Sequence, residues 1–498
     1  MFALGVSNQR LAAGLPVLDF FILTGQSNAE GRGDTLTPID GIQSMYVNSS
    51  GTITPPPLVD PVGGPPSTGS MWPVFGNGWF DETSHYSAFI QRAVGGTPLL
   101  PDQAGSNWSP SGSLRGTTVT AANTALAALQ SDLAGQYQIG NVYVVWCQGE
   151  ADAQAVNGTT ITGTLYKQAL KDLAAYFKAQ IPQMAEMLII QSGRYGTNAQ
   201  AANWAAIRQA QEDACSESAL LRMIYRGAAS FVVNQWMVDT VHWKQAALNK
   251  AGLAAAIEAA SVTPTAIAAA PTILAVQTEP SPDTTSVSTR TVSHTTHASA
   301  KSMIVTLHST RLATNTTFMI SGVTFNGIAM KEVWETNTAN ASPACRVNVA
   351  QYYIDEIMYG GPLSGVTADV VCTHSNTANV SDMCIIDVAE DIIPESYAAA
   401  SATTGTTTTA LLTTNGPALV ITSAACVSAT IDIPTCITTG ETEIMDHGLA
   451  TTKGGSFTVA HETVTSTSVD KSIAMTWSHA CSAINQLVVS YRQKVPGE

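Results

Sequence analysis

Short apolar runs alternate with helix-patterned segments over the first ~260 residues of the chain, and then the alternation stops. Leu18–Leu23, Ala88–Val94, Val142–Trp146, Met187–Gln191 and Leu220–Tyr225 read as short buried strands. Ala121–Leu133, Leu165–Ala179, Ala199–Cys215 and Ala246–Ala260 read as helices. Strands that take turns with helices predict an α/β domain, a parallel sheet covered on both faces. Ligands of such sheets sit at the carboxyl ends of the strands. Residues 34–82 break the rhythm with Pro55-Pro56-Pro57 and Gly63-Gly64-Pro65-Pro66. A loop of that length inside a compact domain is usually functional or disordered. Its place after the first strand predicts a role at a substrate cleft.

Composition changes near residue 263. Ala259–Pro271 is a small-residue, proline-bearing stretch, and beyond it Thr and Ser dominate. Ser302–Leu307, Thr317–Val323, Val366–Cys372, Cys384–Val388, Ala418–Ile421, Ser456–His461 and Leu487–Tyr491 read as strands. They predict an all-β sandwich, jelly-roll-like, with no fixed-period repeat. The chain is therefore divided into an N-terminal segment 1–16, an α/β domain 17–262, a linker 263–272 and a β-domain 273–498. The linker's composition predicts a β-domain that folds separately and is not needed by the chemistry.

The 498 residues carry a formal net charge of −15, which argues against nucleic acid and anionic membranes as partners. No apolar run approaches the ~18–20 residues of a membrane span, so no membrane insertion is expected. The first twenty residues lack a basic region followed by an uninterrupted apolar stretch, so no signal peptide is expected. Only 12% of residues are charged, so Ser, Thr, Asn, Gln and Gly must cover the surface. Cys147, Cys215, Cys345, Cys372, Cys384, Cys426, Cys436 and Cys481 contain no Cys-x-x-Cys pair, and no histidine cluster lies beside them. They predict no zinc site and buried free thiols, with disulfides open as the alternative for the six in the C-terminal half. His294, His297, His308, His374, His447, His461 and His479 lack ligand spacing, so no metal and no cofactor are expected.

Three distant stretches carry the chemistry: Gly25-Gln26-Ser27-Asn28, Trp146-Cys147-Gln148-Gly149-Glu150 and Asp239-Thr240-Val241-His242. The first two end apolar strands, and the third precedes the alanine-rich last helix. A serine hydroxyl attacks well only when a neutral imidazole takes its proton and a carboxylate holds the imidazole tautomer. Asp239 and His242 are close enough in sequence for one tight turn to present both. Chain order is Ser, Asp, His, but no Gly-x-Ser-x-Gly elbow surrounds Ser27.

With Val94-Gly95-Gly96-Thr97 and Trp-x-Gln-Gly-Glu-x-Asp at 146–152, these motifs resemble the sialate O-acetylesterase-like branch of the SGNH hydrolases, with carbohydrate esterase family 6 the nearest group. Arg208 and Gln211 fit the same pattern. The resemblance covers roughly residues 17–260. It implies a flavodoxin-like three-layer α/β/α domain and metal-free hydrolysis of an O-acetyl ester on a sugar. Carried over, Ser27 is the nucleophile, His242 the base and Asp239 its orienter. The Ser27 N–H, a Gly95 or Gly96 N–H and the Gln148 side-chain amide supply the oxyanion hole. Gln26, Asn28, Glu150 and Asp152 support the site, and Trp108 and Trp243 are candidates for stacking on a sugar ring.

Val323-Thr324-Phe325-Asn326-Gly327-Ile328-Ala329-Met330, ahead of Tyr352-Tyr353-Ile354, resembles a β-sandwich module of phage and bacterial surface proteins. For such a module carbohydrate binding, assembly and spacing are all open. Together the two resemblances imply a phage tail-associated deacetylase of bacterial surface polysaccharide, carried in the virion or released by lysis. Its partner is an acetylated polysaccharide or oligosaccharide, with a homo-oligomer or virion assembly as a second expectation. The alternatives are a bacterial xylan or sialic acid acetylesterase, and a non-catalytic glycan-binding virion protein.

Overall fold

Leu18, Phe20 and Ile22 of the first strand point to one side of a sheet, and Phe21 and Leu23 point to the other. Both sets are fully buried, so this strand needs a layer of helices on each face. The computed structural model describes residues 15–101, 106–197, 200–261, 269–278, 287–311, 320–341, 344–378, 380–414, 417–428, 436–438, 441–449, 455–465 and 469–494. The N-terminal segment up to residue 14 and linker residues 263–268 lie outside the described residues.

The α/β domain has strands β1 (Val17–Gly25), β2 (Ser44–Val47), β3 (Ile53–Thr54), β4 (Tyr86–Gln91), β5 (Gln138–Cys147), β6 (Met184–Ile190) and β7 (Leu221–Tyr225). They form one seven-stranded sheet in the order β3-β2-β4-β1-β5-β6-β7. Every pairing is parallel except that of β2 with β3. Helices α1 (Ser27–Glu30), α2 (Trp72–Thr83), α3 (Leu114–Asp132), α4 (Glu150–Ala155), α5 (Gly163–Gln180), α6 (Ala201–Glu217) and α7 (Gln245–Ala260) follow the strands. The core of one face is filled from α3, α5 and α6, and that of the other from α2 and α7. This is the expected three-layer α/β/α arrangement.

Two expectations change. The Ala88–Val94 strand stops at Gln91, because the chain leaves the sheet there and the Val94 N–H donates to Gly25 O at 3.1 Å. Residues 34–82 are not a cleft loop. They supply β2, β3 and α2, and α2 packs on α7 beneath the sheet. Pro73 sits at the start of α2, where its missing N–H costs nothing.

The β-domain is antiparallel throughout. A five-stranded central sheet holds a four-stranded sheet on one face and a seven-stranded sheet on the other. Met303, Val305 and Leu307 fill the first interface with Val323, Phe325 and Val370. Ile304, Val347 and Val349 fill the second with Ile421, Val459 and Leu487. The sandwich thus has three sheets rather than two. Cys147, Cys215, Cys345, Cys372, Cys384, Cys426 and Cys481 are free thiols.

The two domains share buried surface. After β7 the chain makes a short 3-10 turn, Gly227–Phe231, and the next residues enter the β-domain. Val233 is buried among Ile304, Tyr353, Ile392 and Tyr491. Asn234 is also buried, and its Nδ2 donates to Pro394 O at 3.3 Å. Its Oδ1 accepts from Lys331 Nζ at 2.7 Å. Trp236 lies between two cations, with Lys250 and Lys331 5.2 and 5.1 Å from its ring centre. Burial pulls the Lys331 ammonium down to about 8, helped by the charges of Lys494 and Lys250.

Candidate active site

Three strand ends meet at one point. The chain leaves β1 at Ser27, β4 at Gly95–Gly96 and β5 at Gln148–Glu150. The connection after β1 runs to β2 on one side and those after β4 and β5 run to the other, and the crevice at such a reversal is where these sheets bind ligands. Gly25 is required here: its φ is +111°, and a Cβ would stand 2.1 Å from Cys147 O. The turn brings Ser27 to the first position of α1, with its side chain facing a cleft of about 530 Å³. At that position the backbone N–H has no partner within its helix and is available to an anion. Gly95 and Gly96 line the same cleft. A Cβ on Gly95 would lie 3.0 Å from Glu30 Oε2 and 3.7 Å from Ser27 Cβ, so the loop runs directly beside Ser27 and a side chain there would crowd Glu30.

His242 arrives from the other wall on a small hairpin. Val238 N–H donates to His242 O at 2.8 Å, and Met237 pairs with Trp243. At its tip Asp239 Oδ2 accepts from His242 Nδ1 at 2.7 Å, while Oδ1 accepts from the N–H groups of Val241 and His242, both at 2.8 Å. Nδ1 therefore carries the proton, and Nε2 presents a lone pair to the cleft. Partial burial pushes the Asp239 carboxyl up, but these hydrogen bonds outweigh it and hold the group below the usual carboxylate range. No hydrogen bond joins Ser27 Oγ to His242 among the described residues; they face one cleft, and such contacts commonly tighten when substrate enters.

Asn28 ties the parts together. Its Nδ2 donates to Glu150 Oε1 at 2.8 Å and to Val241 O at 3.1 Å, and its Oδ1 accepts from the Trp243 N–H at 3.2 Å. Glu150 is fully buried, and burial pushes its carboxyl up despite the Asn28 hydrogen bond and the nearby His242.

Gln148 is not brought to the cleft. Its Nε2 donates to Asp152 Oδ2 at 2.6 Å and to Thr97 O at 3.2 Å, and its Oε1 accepts from Tyr166 OH at 2.8 Å. Asp152 in turn accepts from the N–H groups of Leu99 and Leu100. Gln148 and Asp152 thus hold the Gly95–Gly96 loop from behind. Gln26, next to Ser27, lines the cleft instead, and its Oε1 accepts from the Ala151 N–H at 3.2 Å, which leaves its Nε2 free of that contact. Gln26→Ala is therefore expected to lower kcat by about 10²–10³, the cost of one oxyanion donor. Gln148→Ala removes buried hydrogen bonds instead and should cost about 1–3 kcal/mol of stability. Steady-state kinetics and thermal unfolding on both variants check the pair, and a stable, catalytically crippled Gln148→Ala would reverse the assignment.

Arg208 and Gln211 also lie outside the cleft: Arg208 Nη1 donates to Gly193 O, and Gln211 Nε2 donates to Gln148 O at 2.7 Å. Neither Trp108 nor Trp243 can stack on a sugar. Trp108 is 1% exposed, donates to Thr97 Oγ1 and packs edge-on against Trp146; Trp243 is 0% exposed and packs against Phe231. Arg32, which the motifs did not single out, lines the cleft and pairs with Glu30 at 2.8 Å. Its Gly31-Arg32-Gly33 context offered no spacing signal of its own.

In structure the chain is similar to a protein of Arabidopsis thaliana, with 16% identity over 48% of this chain and 95% of that one, at a TM-score of 0.36. It is similar to a carbohydrate acetylesterase from Xanthomonas citri, with 12% identity over 71% of this chain and 78% of that one, at a TM-score of 0.32. A member of the lipolytic G-D-S-L family from Veillonella parvula has 8% identity over 49% of this chain and 97% of that one, at a TM-score of 0.25. No family model and no curated protein matches the sequence.

Proposed function

We propose that the chain is a serine esterase that removes O-acetyl groups from a carbohydrate. The observation that carries this reading is the Asp239–His242 pair, hydrogen-bonded at 2.7 Å, facing the cleft that also exposes Ser27 and the Gly95–Gly96 backbone. Ser27 Oγ adds to the acetyl carbonyl as His242 Nε2 takes its proton. The carbonyl oxygen becomes an anion and is met by the N–H groups of Ser27 and the Gly95–Gly96 loop, with the Gln26 amide beside them. As the sugar oxygen leaves, His242 returns the proton to it. Water, activated by the same imidazole, then releases acetate from Ser27.

A histidine acts as base only when neutral, so activity should fall in acid. Asp239 keeps its charge well into that range. Its carboxyl is held low, so its favourable contribution is complete above the ordinary carboxylate range and is lost only in acid. Asp239→Asn should lower kcat by about 10³–10⁴, because an amide no longer secures the Nδ1–H tautomer. A pH–rate profile of both chains checks this; a rate flat from about pH 5 to 8 would count against a histidine base.

Acetate release from a panel of purified acetylated polysaccharides, alongside turnover of p-nitrophenyl acetate, tests the reading. The sequence association suggests deacetylation of a host surface polysaccharide from a phage tail. Capsule and cell-wall glycans therefore belong in that panel beside acetylated xylan and sialic acid.

A further inference from the structure

The cleft has no exposed aromatic ring, yet a large exposed ring stands nearby. Trp334 is 40% exposed, on strand Lys331–Ala341 at the edge of the five-stranded sheet. It stacks on Tyr397 of the neighbouring edge strand, Ile392–Ala402, with ring centres 4.5 Å apart and planes at 18°. Three residues before Trp334 on its strand, Lys331 Nζ stands 5.1 Å from the ring centre of Trp236, at the base of the Asp239–His242 hairpin. Three residues before Tyr397, Pro394 O accepts from Asn234 Nδ2 at 3.3 Å, just ahead of the same hairpin. Three residues of strand span about 10 Å. The aromatic pair therefore flanks the wall that carries the base.

A bare tryptophan on an edge strand is a liability that folds usually avoid with charge or proline. Tyr397 already covers the core beneath it. We propose that Trp334, backed by Tyr397, is a second sugar-binding subsite, taking a pyranose ring of the same glycan chain whose acetylated unit lies at Ser27. A pyranose presents a flat C–H face that matches an indole, and stacking on Tyr397 fixes the ring before substrate arrives, so little side-chain freedom is lost on binding. This inference rests on the esterase reading above.

The test uses the full chain and compares Trp334→Ala, Trp334→Tyr and wild type. The substrates are p-nitrophenyl acetate and the polysaccharide of the panel that releases most acetate. The expected result is an approximately tenfold rise in KM on the polysaccharide for Trp334→Ala, about one aromatic contact, with partial recovery in Trp334→Tyr. Rates on the small ester should stay within about twofold of wild type, as Trp334 lies outside the chemistry. An unchanged polysaccharide KM, or equal losses on both substrates, overturns the subsite. A wild-type chain inactive on the small ester overturns the esterase reading, and one active on it but on no polysaccharide overturns the carbohydrate reading together with the subsite, whereas a polysaccharide-active chain whose KM ignores Trp334 overturns the subsite alone.

Discussion

Replacing Ser27 by alanine should reduce acetyl-ester hydrolysis by on the order of 10⁶ in kcat while leaving the fold unchanged. The hydroxyl makes no hydrogen bond among the described residues and faces the cleft, so its removal leaves no buried partner unsatisfied. Alanine also suits the first turn of α1. The measurement is paired: initial rates on p-nitrophenyl acetate, and thermal unfolding of both chains. Retention of more than about a tenth of the activity would rule Ser27 out as nucleophile.

The second large effect concerns the domain boundary. The composition change near residue 263 predicts a chemistry that needs only the α/β domain, but the packing changes that expectation. Val233 is 5% exposed because the β-domain covers it, and the Asn234 side chain takes partners from Lys331 and Pro394. The hairpin bearing Asp239 and His242 starts directly after them, and its base residue Trp236 loses Lys331 when the β-domain is removed. A chain ending at residue 262 should therefore unfold at lower temperature; exposing Val233 alone costs about 1.5 kcal/mol or more. It should also hydrolyse p-nitrophenyl acetate at least about tenfold more slowly, since small displacements of a base are costly. A soluble truncated chain with the wild-type rate would show that the interface does not position the hairpin.

The alternation of apolar runs and helical segments made the layered sheet legible, because both faces of β1 must be buried. Helix α2 escaped that reading because Pro73, Gly76 and Gly78 depress its propensity, and packing on α7 overrides it. That Ser27, Asp239 and His242 share one cleft is legible because each stands in a short motif at an element end. Motif spacing does not say which way the Gln148 side chain turns. Asp152, four residues on, captures the amide and turns it into a strut. Gln26 takes its place at the cleft, next to Ser27 in sequence. The contact of Val233 and Asn234 with the β-domain carries no local signal, since two residues in a loop show no periodicity.

Asn28 has a consequence for how this site can vary. One side chain, next to the nucleophile in sequence, grips the strand-end acid Glu150 and two backbone groups of the base-bearing hairpin. The Ser27 turn and the His242 hairpin are thus tied to each other through one side chain, so a change at Asn28 should be felt on both sides of the cleft at once. Arg32, Gln154 and Ala155 line the same cleft and take no part in the Asn28 hydrogen bonds, so substitutions there should leave that link intact.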